Sequence, residues 1–240
     1  MRNRFARAFC GLAAGVAVTT TLGLMGAGAA SAATHHAKPD ATTACGVDCF
    51  DFSSLLLGTG TILNAYVPGD TGAGGKVGQM FTLKFASNSH PNEDFTEGFI
   101  GFVDDFCGST PGFSDTSYVC LNYGDYPVYE FDWSAFGNQS GLCAGVASAL
   151  QGESVTLQTC GTTVNTLWIA DVADGVSAND NDYDPFINGA DTAFSHPLVM
   201  TVDAGTTRPE NQVKIERENL LSGDIAVDAQ EFTSVTGPAA

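Results

Sequence analysis

Hydrophobic and polar residues alternate along several short segments of this chain. The alternation is clearest in residues 129–133 (YEFDW), 155–159 (VTLQT) and 213–217 (VKIER). A period of two is typical of β-strands that bury one face and expose the other. Gly- and Asp-rich segments separate these runs, and the stretch nearest to a helical pattern, residues 144–151, is short. The pattern therefore predicts an all-β fold.

A longer pattern occurs three times along the chain. Each copy has an apolar segment, a turn that contains glycine, a strand, a polar turn and an aromatic anchor. The apolar segments are residues 62–66, 142–146 and 198–202, the strands are residues 81–85, 155–160 and 213–217, and the anchors are Phe95, Trp168 and Phe232. Three such units are typical of a β-trefoil, because each unit leaves a hydrophobic edge that only the other two cover.

The sequence thus predicts one disulfide-bonded β-trefoil domain over residues 44–240, built from three inflated pseudo-repeats. The anchors are far apart in sequence, which indicates that insertions lengthen each unit. We expect residues 97–140 and 170–195 to hold most of the inserted length.

The middle copy, LCAGV…GESVTLQTC…NTLWI, resembles the ricin-type β-trefoil lectin repeat. That repeat has a leading Cys-Leu-Asp-Val, a strand that ends in Cys and a closing Gln-x-Trp. Gln230-Glu231-Phe232 is similar to the closing motif, with Phe in place of Trp. The resemblance covers most of residues 56–235 and implies a disulfide between Cys143 and Cys160 and a sugar-binding function. The whole chain also resembles secreted actinobacterial proteins.

The resemblance also implies where a sugar-binding carboxylate would lie. The Asp of the leading motif falls on Gly145 in the middle copy, and glycine cannot make charge-assisted hydrogen bonds to a sugar. In the third copy Asp203 lies near that place, and Asn211 is a second polar candidate; Asp70, in the first copy, lies further away. Turn formation is the commoner role of such Asp and Asn residues, so it is the alternative for Asp203 and Asn211.

The N-terminus predicts export. Arg2, Arg4 and Arg7 precede an apolar run that ends in Ala30-Ser31-Ala32, a small-x-small cleavage pattern. We expect residues 1–32 to be a signal peptide, residues 33–43 a flexible leader, and the mature protein to be secreted and extracellular.

An even number of cysteines remains after the predicted signal peptide, which contains Cys10. These are Cys45, Cys49, Cys107, Cys120, Cys143 and Cys160. In an exported chain such a set predicts three disulfides, although six cysteines allow many pairings. Their spacing favours pairs of neighbours along the chain.

The mature chain carries a large excess of negative charge, six Lys/Arg against 27 Asp/Glu. This charge repels nucleic acid and anionic lipid. No segment after the signal peptide is long and apolar enough to span a bilayer. Solubility is the usual consequence of such acidity, and cation binding is the alternative.

One acidic segment has the spacing of a Ca²⁺-binding loop. Asp180, Asp182, Asp184, Asn188 and Asp191 occupy the first, third, fifth, ninth and twelfth places of such a loop. Its sixth place is Pro185 rather than Gly, and its last residue is Asp rather than Glu. These departures favour an acidic surface turn, and Ca²⁺ remains the only cofactor that the sequence suggests.

No catalytic motif is evident in the sequence. His90 and His196 each lie within Ser-His-Pro, outside any nucleophile motif, and nothing places the acidic pair Asp104 and Asp105 in a pocket. We therefore expect a binding module rather than an enzyme, with extracellular or cell-wall carbohydrate as its partner. The alternatives are a protein-binding trefoil such as a protease inhibitor, which would use an inserted loop, and a structural envelope protein.

Overall fold

The four-strand unit that the sequence predicts occurs three times in the computed structural model of the protein. The first unit comprises β1 (Cys49–Ser54), β2 (Thr61–Ala65), β3 (Phe81–Phe85) and β4 (Phe95–Phe102). The second comprises β5 (Pro127–Trp133), β6 (Leu142–Val146), β7 (Val155–Thr159) and β8 (Leu167–Ala170). The third comprises β11 (Phe186–Asn188), β12 (Leu198–Val202), β13 (Asn211–Arg217) and β16 (Phe232–Thr236).

Shorter elements lie between these strands. They are the helices α1 (Val103–Phe106) and α2 (Tyr118–Asn122) and the strand pairs β9 (Val176–Ala178) with β10 (Asn181–Tyr183) and β14 (Leu220–Leu221) with β15 (Ile225–Ala226). The structure describes residues 49–57, 61–65, 75–85, 95–134, 139–161, 163–178, 181–203, 211–221 and 225–236. All of them belong to one compact unit, Lys38–Ala240.

The first and fourth strands of the three units form a closed ring. Within the units, β1 pairs with β4 and β5 pairs with β8, while the bridge between Asp184 and Phe232 joins the start of β11 to β16. Between the units, β4 pairs with β5, β8 with β11, and β16 with β1. The last strand therefore returns to the first, and the six strands close a barrel.

The second and third strands form three hairpins, β2–β3, β6–β7 and β12–β13. Each hairpin contacts the other two, through the pairing of β3 with β13 and the bridges Met80–Thr156 and Ser154–Lys214. Every pairing among the twelve strands of the three units thus occurs three times, once per unit or once per junction between units. This is the β-trefoil architecture, and it confirms the fold that the repeat predicts.

The core carries the same three-fold pattern in its side chains. Phe52, Phe131 and Phe186 occupy equivalent places on the first strands and pack edge to face, with ring centroids 4.5, 5.3 and 5.5 Å apart. This geometry is one that aromatic rings prefer. The anchors Phe95, Trp168 and Phe232 are fully buried in the same cluster, as the repeat predicts.

Two of the predicted disulfides lie within the described residues. Cys143 and Cys160 join the outer ends of hairpin β6–β7, with Cα atoms 5.0 Å apart. Cys107 and Cys120 join α1 to α2, with Cα atoms 5.9 Å apart. Cys45 and the side chain of Cys49 lie outside the described residues.

Two of the three inserted segments lie inside the ranges that the sequence predicts, but those ranges also contain barrel strands. Residues 97–140 contain most of β4 and all of β5, and residues 170–195 contain β11. The segments that interrupt the trefoil are residues 103–126, 171–185 and 218–231, and we call them the first, second and third insertions. The helices of the first insertion span four and five residues, which is too short to give a helical period in the sequence. Within the described residues, no helix has the length and apolarity needed to cross a bilayer.

Candidate functional site

The register of the hairpins shows which residues correspond to the sugar-binding Asp of the ricin-type repeat. Cys143 pairs with Asp132, and Val199 pairs with Ile187, the equivalent residue of the third unit. Counting from these pairs, the counterpart of Gly145 in the third unit is Thr201. Asp203, the sequence candidate, lies two residues further along.

The structure does not place Asp203 at that equivalent position. Its side chain is exposed at the end of β12, with Oδ2 3.9 Å from Lys214 Nζ. Thr201 is buried, and its hydroxyl donates to the carbonyl of Val199 at 3.0 Å and accepts from Gln230 Nε2 at 3.2 Å. The side chain of Asn211, the other candidate, lies outside the described residues, as does Asp70.

The middle unit has no room for a carboxylate at Gly145. A Cβ atom added there would lie 2.9 Å from the carbonyl oxygen of Asn165. Side-chain atoms at this place would therefore clash with backbone rather than with a side chain that could move. Packing therefore leaves no space for an Asp side chain at Gly145 without movement of the backbone around it.

The described residues of the predicted Ca²⁺ loop are spread over β10, β11 and the segments that follow these strands. Asp180 is outside the described residues. Asp182 is exposed on β10 and accepts a hydrogen bond from the Ser177 hydroxyl. Asp184 forms backbone hydrogen bonds with Phe232, and burial together with Asp182 raises the pKa of its carboxyl group to about 7.

The second half of the predicted Ca²⁺ loop is used for packing. Asn188, on β11, donates from Nδ2 to the carbonyl of Asn165 at 3.0 Å. Asp191 is buried, accepts from the backbone N–H of Leu198 at 3.0 Å and forms an ion pair with Arg217. Within the described residues, the predicted carboxylates do not form a group close enough to share one ion.

A group of exposed hydrophobic side chains stands out on β4. Phe99 is 53% exposed, Ile100 43% and Phe102 47%, and we call these three residues the aromatic patch. The rings of Phe99 and Phe102 lie 5.2 Å apart, and the ring of Tyr129 lies 6.0 Å from that of Phe99. The patch therefore presents two neighbouring rings to solvent beside a third.

A β-bulge produces this exposure. The register of β4 against β5 shifts between Phe99 and Gly101, and Gly101 has φ of +149°. A Cβ atom at Gly101 would lie 2.8 Å from Asp105 Oδ2, which accepts from the backbone N–H of Phe102 at 2.9 Å. Bulges commonly redirect side chains near functional sites.

Two carboxylates follow the aromatic patch in sequence, and that of Asp105 contacts its backbone at Phe102. Asp104 and Asp105 follow Phe102 by two and three residues in α1, and both are exposed. The sequence pairs apolar and acidic residues here (FIGFVDD), but the apolar residues are consecutive rather than alternating. The spacing of the three copies predicts inserted length here, and the aromatic patch cannot be predicted from the period of this segment.

A second group of polar residues lies where the three insertions meet. Asp171 and Asp174 belong to the second insertion, Glu218 begins the third, and one carboxylate oxygen of each lies within 4.8 Å of the others. We call these three residues the acidic cluster. Tyr123, in the first insertion, lies near the Asp171 carboxylate. Burial, followed by Asp171, raises the pKa of Tyr123.

Comparison with known proteins gives similarity in overall structure alone. No protein-family model and no curated protein matches the sequence. Solved structures similar to this chain include ThreeFoil, a designed 3-fold symmetric protein (14% identity, 79% of this chain and 99% of that chain, TM-score 0.49). Others are the Rhizoctonia solani agglutinin (14%, 81% and 98%, 0.45) and the C-half of an earthworm R-type lectin in complex with GalNAc (12%, 79% and 99%, 0.41). The fold assignment rests on the strand pairings of this chain, and no function is inferred from these similarities.

Proposed function

We propose that this protein is a secreted carbohydrate-binding module without catalytic activity, and that the aromatic patch is its ligand-binding surface. The observation that carries this proposal is the pair of half-exposed phenylalanine rings on the bulge of β4, beside two exposed carboxylates. Large apolar side chains that are grouped on a soluble protein often mark a ligand-binding surface.

The chemistry of the patch suits a sugar. The apolar C–H face of a pyranose packs against an aromatic ring, and two rings 5.2 Å apart offer a surface of that size. Sugar hydroxyls at the edge would donate to Asp104 and Asp105, and hydrogen bonds to a charged acceptor are stronger than those to a neutral one. Binding at this patch does not require a carboxylate at the position of Gly145.

The exposure of these carboxylates favours binding over hydrolysis. A glycosidase needs a general acid whose carboxyl group stays protonated because its surroundings shield it from water. Asp104 and Asp105 both lie in solvent. We therefore assign them a role in orientation of the ligand.

Retention on insoluble polysaccharides and on a glycan panel tests this proposal. The wild-type protein should be retained, and Phe99→Ala combined with Phe102→Ala should weaken binding by roughly tenfold or more, about 1.4 kcal/mol. Phe194→Ala is a matched control, because Phe194 is 56% exposed but lies under Arg217 in another segment. Failure of the wild type to bind any glycan, or equal loss in the control, would contradict the proposal.

Protein binding is a second candidate, favoured by the segment between Cys107 and Cys120. The disulfide closes this segment, and residues 108–112 and 114–116 are largely exposed. A constrained, exposed loop loses little conformational entropy when it enters the cleft of another protein. Inhibition of a panel of secreted proteases by the wild type, lost after Cys107→Ser with Cys120→Ser, would support this candidate over sugar binding.

A further inference from the structure

Two of the three carboxylates in the acidic cluster are buried and Asp174 is half-buried, which makes the negative charge of the cluster costly. Asp171 is fully buried and Glu218 is 5% exposed. Both carboxylate oxygens of Glu218 and Oδ2 of Asp171 are shielded from water and have no hydrogen-bond partner among the described residues. Buried carboxylates are normally paired, or they coordinate a metal, because an isolated buried charge is strongly unfavourable.

The described basic side chains do not neutralise this cluster. Lys214 pairs with Asp203 and Glu216, and Arg217 pairs with Asp191. Within the described residues, the negative charge of the acidic cluster is therefore not balanced by a basic side chain.

We propose that Asp171, Asp174 and Glu218 together hold a divalent cation of the Ca²⁺ type. The three side chains offer only oxygen ligands, which hard cations prefer over transition metals. Their oxygens are near enough to one another for a single ion to touch all three. The unpartnered oxygens of Glu218 and Asp171 supply the positions that such an ion would fill.

The backbone around the cluster holds these side chains in place. The N–H of Asp171 donates to the carbonyl of Pro185 at 2.9 Å, and that of Glu218 to the carbonyl of Pro197 at 2.9 Å. A cation here would therefore connect the second and third insertions.

This site differs from the Ca²⁺ loop that the sequence predicts. The two share no residue, and Asp182, one of the predicted ligands, lies exposed on β10. Asp182→Asn therefore removes one carboxylate of the sequence-predicted loop and leaves the acidic cluster intact. It is the matched control for substitutions in the cluster.

Thermal unfolding of the full wild-type protein tests the proposal. After treatment with a chelator, addition of about 1 mM Ca²⁺ at neutral pH should raise Tm by roughly 5 to 10 °C if that concentration is about a hundredfold above Kd. Glu218→Gln and Asp174→Asn should each abolish most of this rise. Because they also remove repulsion between carboxylates, both variants should be more stable than the wild type in chelator. Asp182→Asn should keep the full rise.

Tb³⁺ luminescence measures binding without reliance on folded variants. Tb³⁺ replaces Ca²⁺ at oxygen sites, and Tyr123 is near enough to sensitise its emission. The emission of the wild type should appear on addition of Tb³⁺ and disappear on addition of Ca²⁺. A wild type with no Ca²⁺-dependent Tm and no Ca²⁺-displaceable emission would overturn the proposal, leaving a cluster that retains protons. A rise in Tm that persists in Glu218→Gln and is lost in Asp182→Asn would also overturn it.

Discussion

At the scale of single residues, comparison of the three equivalent positions of the trefoil shows what each side chain contributes. The anchor is phenylalanine in the first and third units, at Phe95 and Phe232, and tryptophan in the second, at Trp168. The indole ring fills the same part of the core and adds a donor, because its N–H bonds to the carbonyl of Ala144 at 2.8 Å. Trp168 thus contributes both buried area and a hydrogen bond between β8 and β6.

Replacement of Trp168 tests this assignment. Trp168→Ala should lower the free energy of unfolding by roughly 3 to 5 kcal/mol, because it opens a large cavity in the core. Trp168→Phe, which restores the residue type of the other two units, should cost only about 1 to 2 kcal/mol through the lost hydrogen bond and smaller ring. Urea unfolding measures both. Equal losses in the two variants would show that the pseudo-symmetric packing does not set the stability here.

Glu231 predicts a dependence of stability on pH. It is fully buried, and its carboxylate oxygens have no partner among the described residues. Burial, followed by Asp184, Asp171, Asp228 and Asp174, raises its pKa from 4.5 to about 9. Between these values the unfolded chain loses the proton while the folded protein keeps it. The free energy of unfolding should therefore fall as pH rises from about 5 to 8.

Glu231→Gln removes this titration and keeps the shape of the side chain. In the presence of a chelator, the variant should lose less stability than the wild type between about pH 5 and pH 8, by on the order of 1 kcal/mol per pH unit. Chemical unfolding at the two pH values measures the difference. Parallel decreases in the wild type and the variant would show that Glu231 does not retain a proton in the folded state.

At the scale of elements, the hairpin and anchor positions could be predicted and several barrel strands could not. Apolar and polar residues alternate in strands β7 and β13, because one face of each strand packs in the core. Trp168 follows β7 and Phe232 follows β13, each after a polar turn. Strand β11 has only three residues, all buried, so it has no alternation. The apolar residues of β4 are consecutive rather than alternating, and the bulge turns the side chains of some of them toward solvent instead of the core. The acidic cluster joins residues 171 and 218, which only the closed barrel brings together.

The disulfide between Cys143 and Cys160 constrains the second hairpin, β6–β7. Hairpins β2–β3 and β12–β13 contain no cysteine. The disulfide closes a loop with a sequence separation of 17 residues. Cys143→Ala with Cys160→Ala should lower the free energy of unfolding by about 3 kcal/mol, mainly because the unfolded chain regains conformational entropy.

Alkylation of the unreduced protein, followed by mass spectrometry, tests the pairing itself. We expect no alkylated cysteine at 107, 120, 143 or 160. The control is a variant that lacks Cys107 and Cys120. Their disulfide closes a loop of similar length, but in the first insertion rather than in the barrel. Alkylation at Cys143 or Cys160 in the untreated protein would contradict the account.

At the scale of the whole molecule, we propose that the ligand-binding surface lies where one unit of the trefoil differs from the other two. The barrel and hairpins repeat, and the equivalent positions of the second and third units are occupied by buried residues such as Gly145 and Thr201. The aromatic patch occurs in the first unit alone among the described strands, at the bulge of β4. Binding residues commonly lie on variable segments that a rigid scaffold holds in position.

The affinity of the aromatic patch for a sugar is the quantity on which this account depends most. Isothermal titration calorimetry should be carried out with the soluble oligosaccharide that corresponds to the best-retaining polysaccharide, on the wild type, Phe99→Ala and Phe194→Ala. We predict a Kd that is roughly tenfold higher for Phe99→Ala and unchanged for Phe194→Ala. The reason is that Phe99 belongs to the proposed binding surface and Phe194 does not. Equal Kd values for the wild type and Phe99→Ala would contradict the assignment of the sugar-binding surface to this patch.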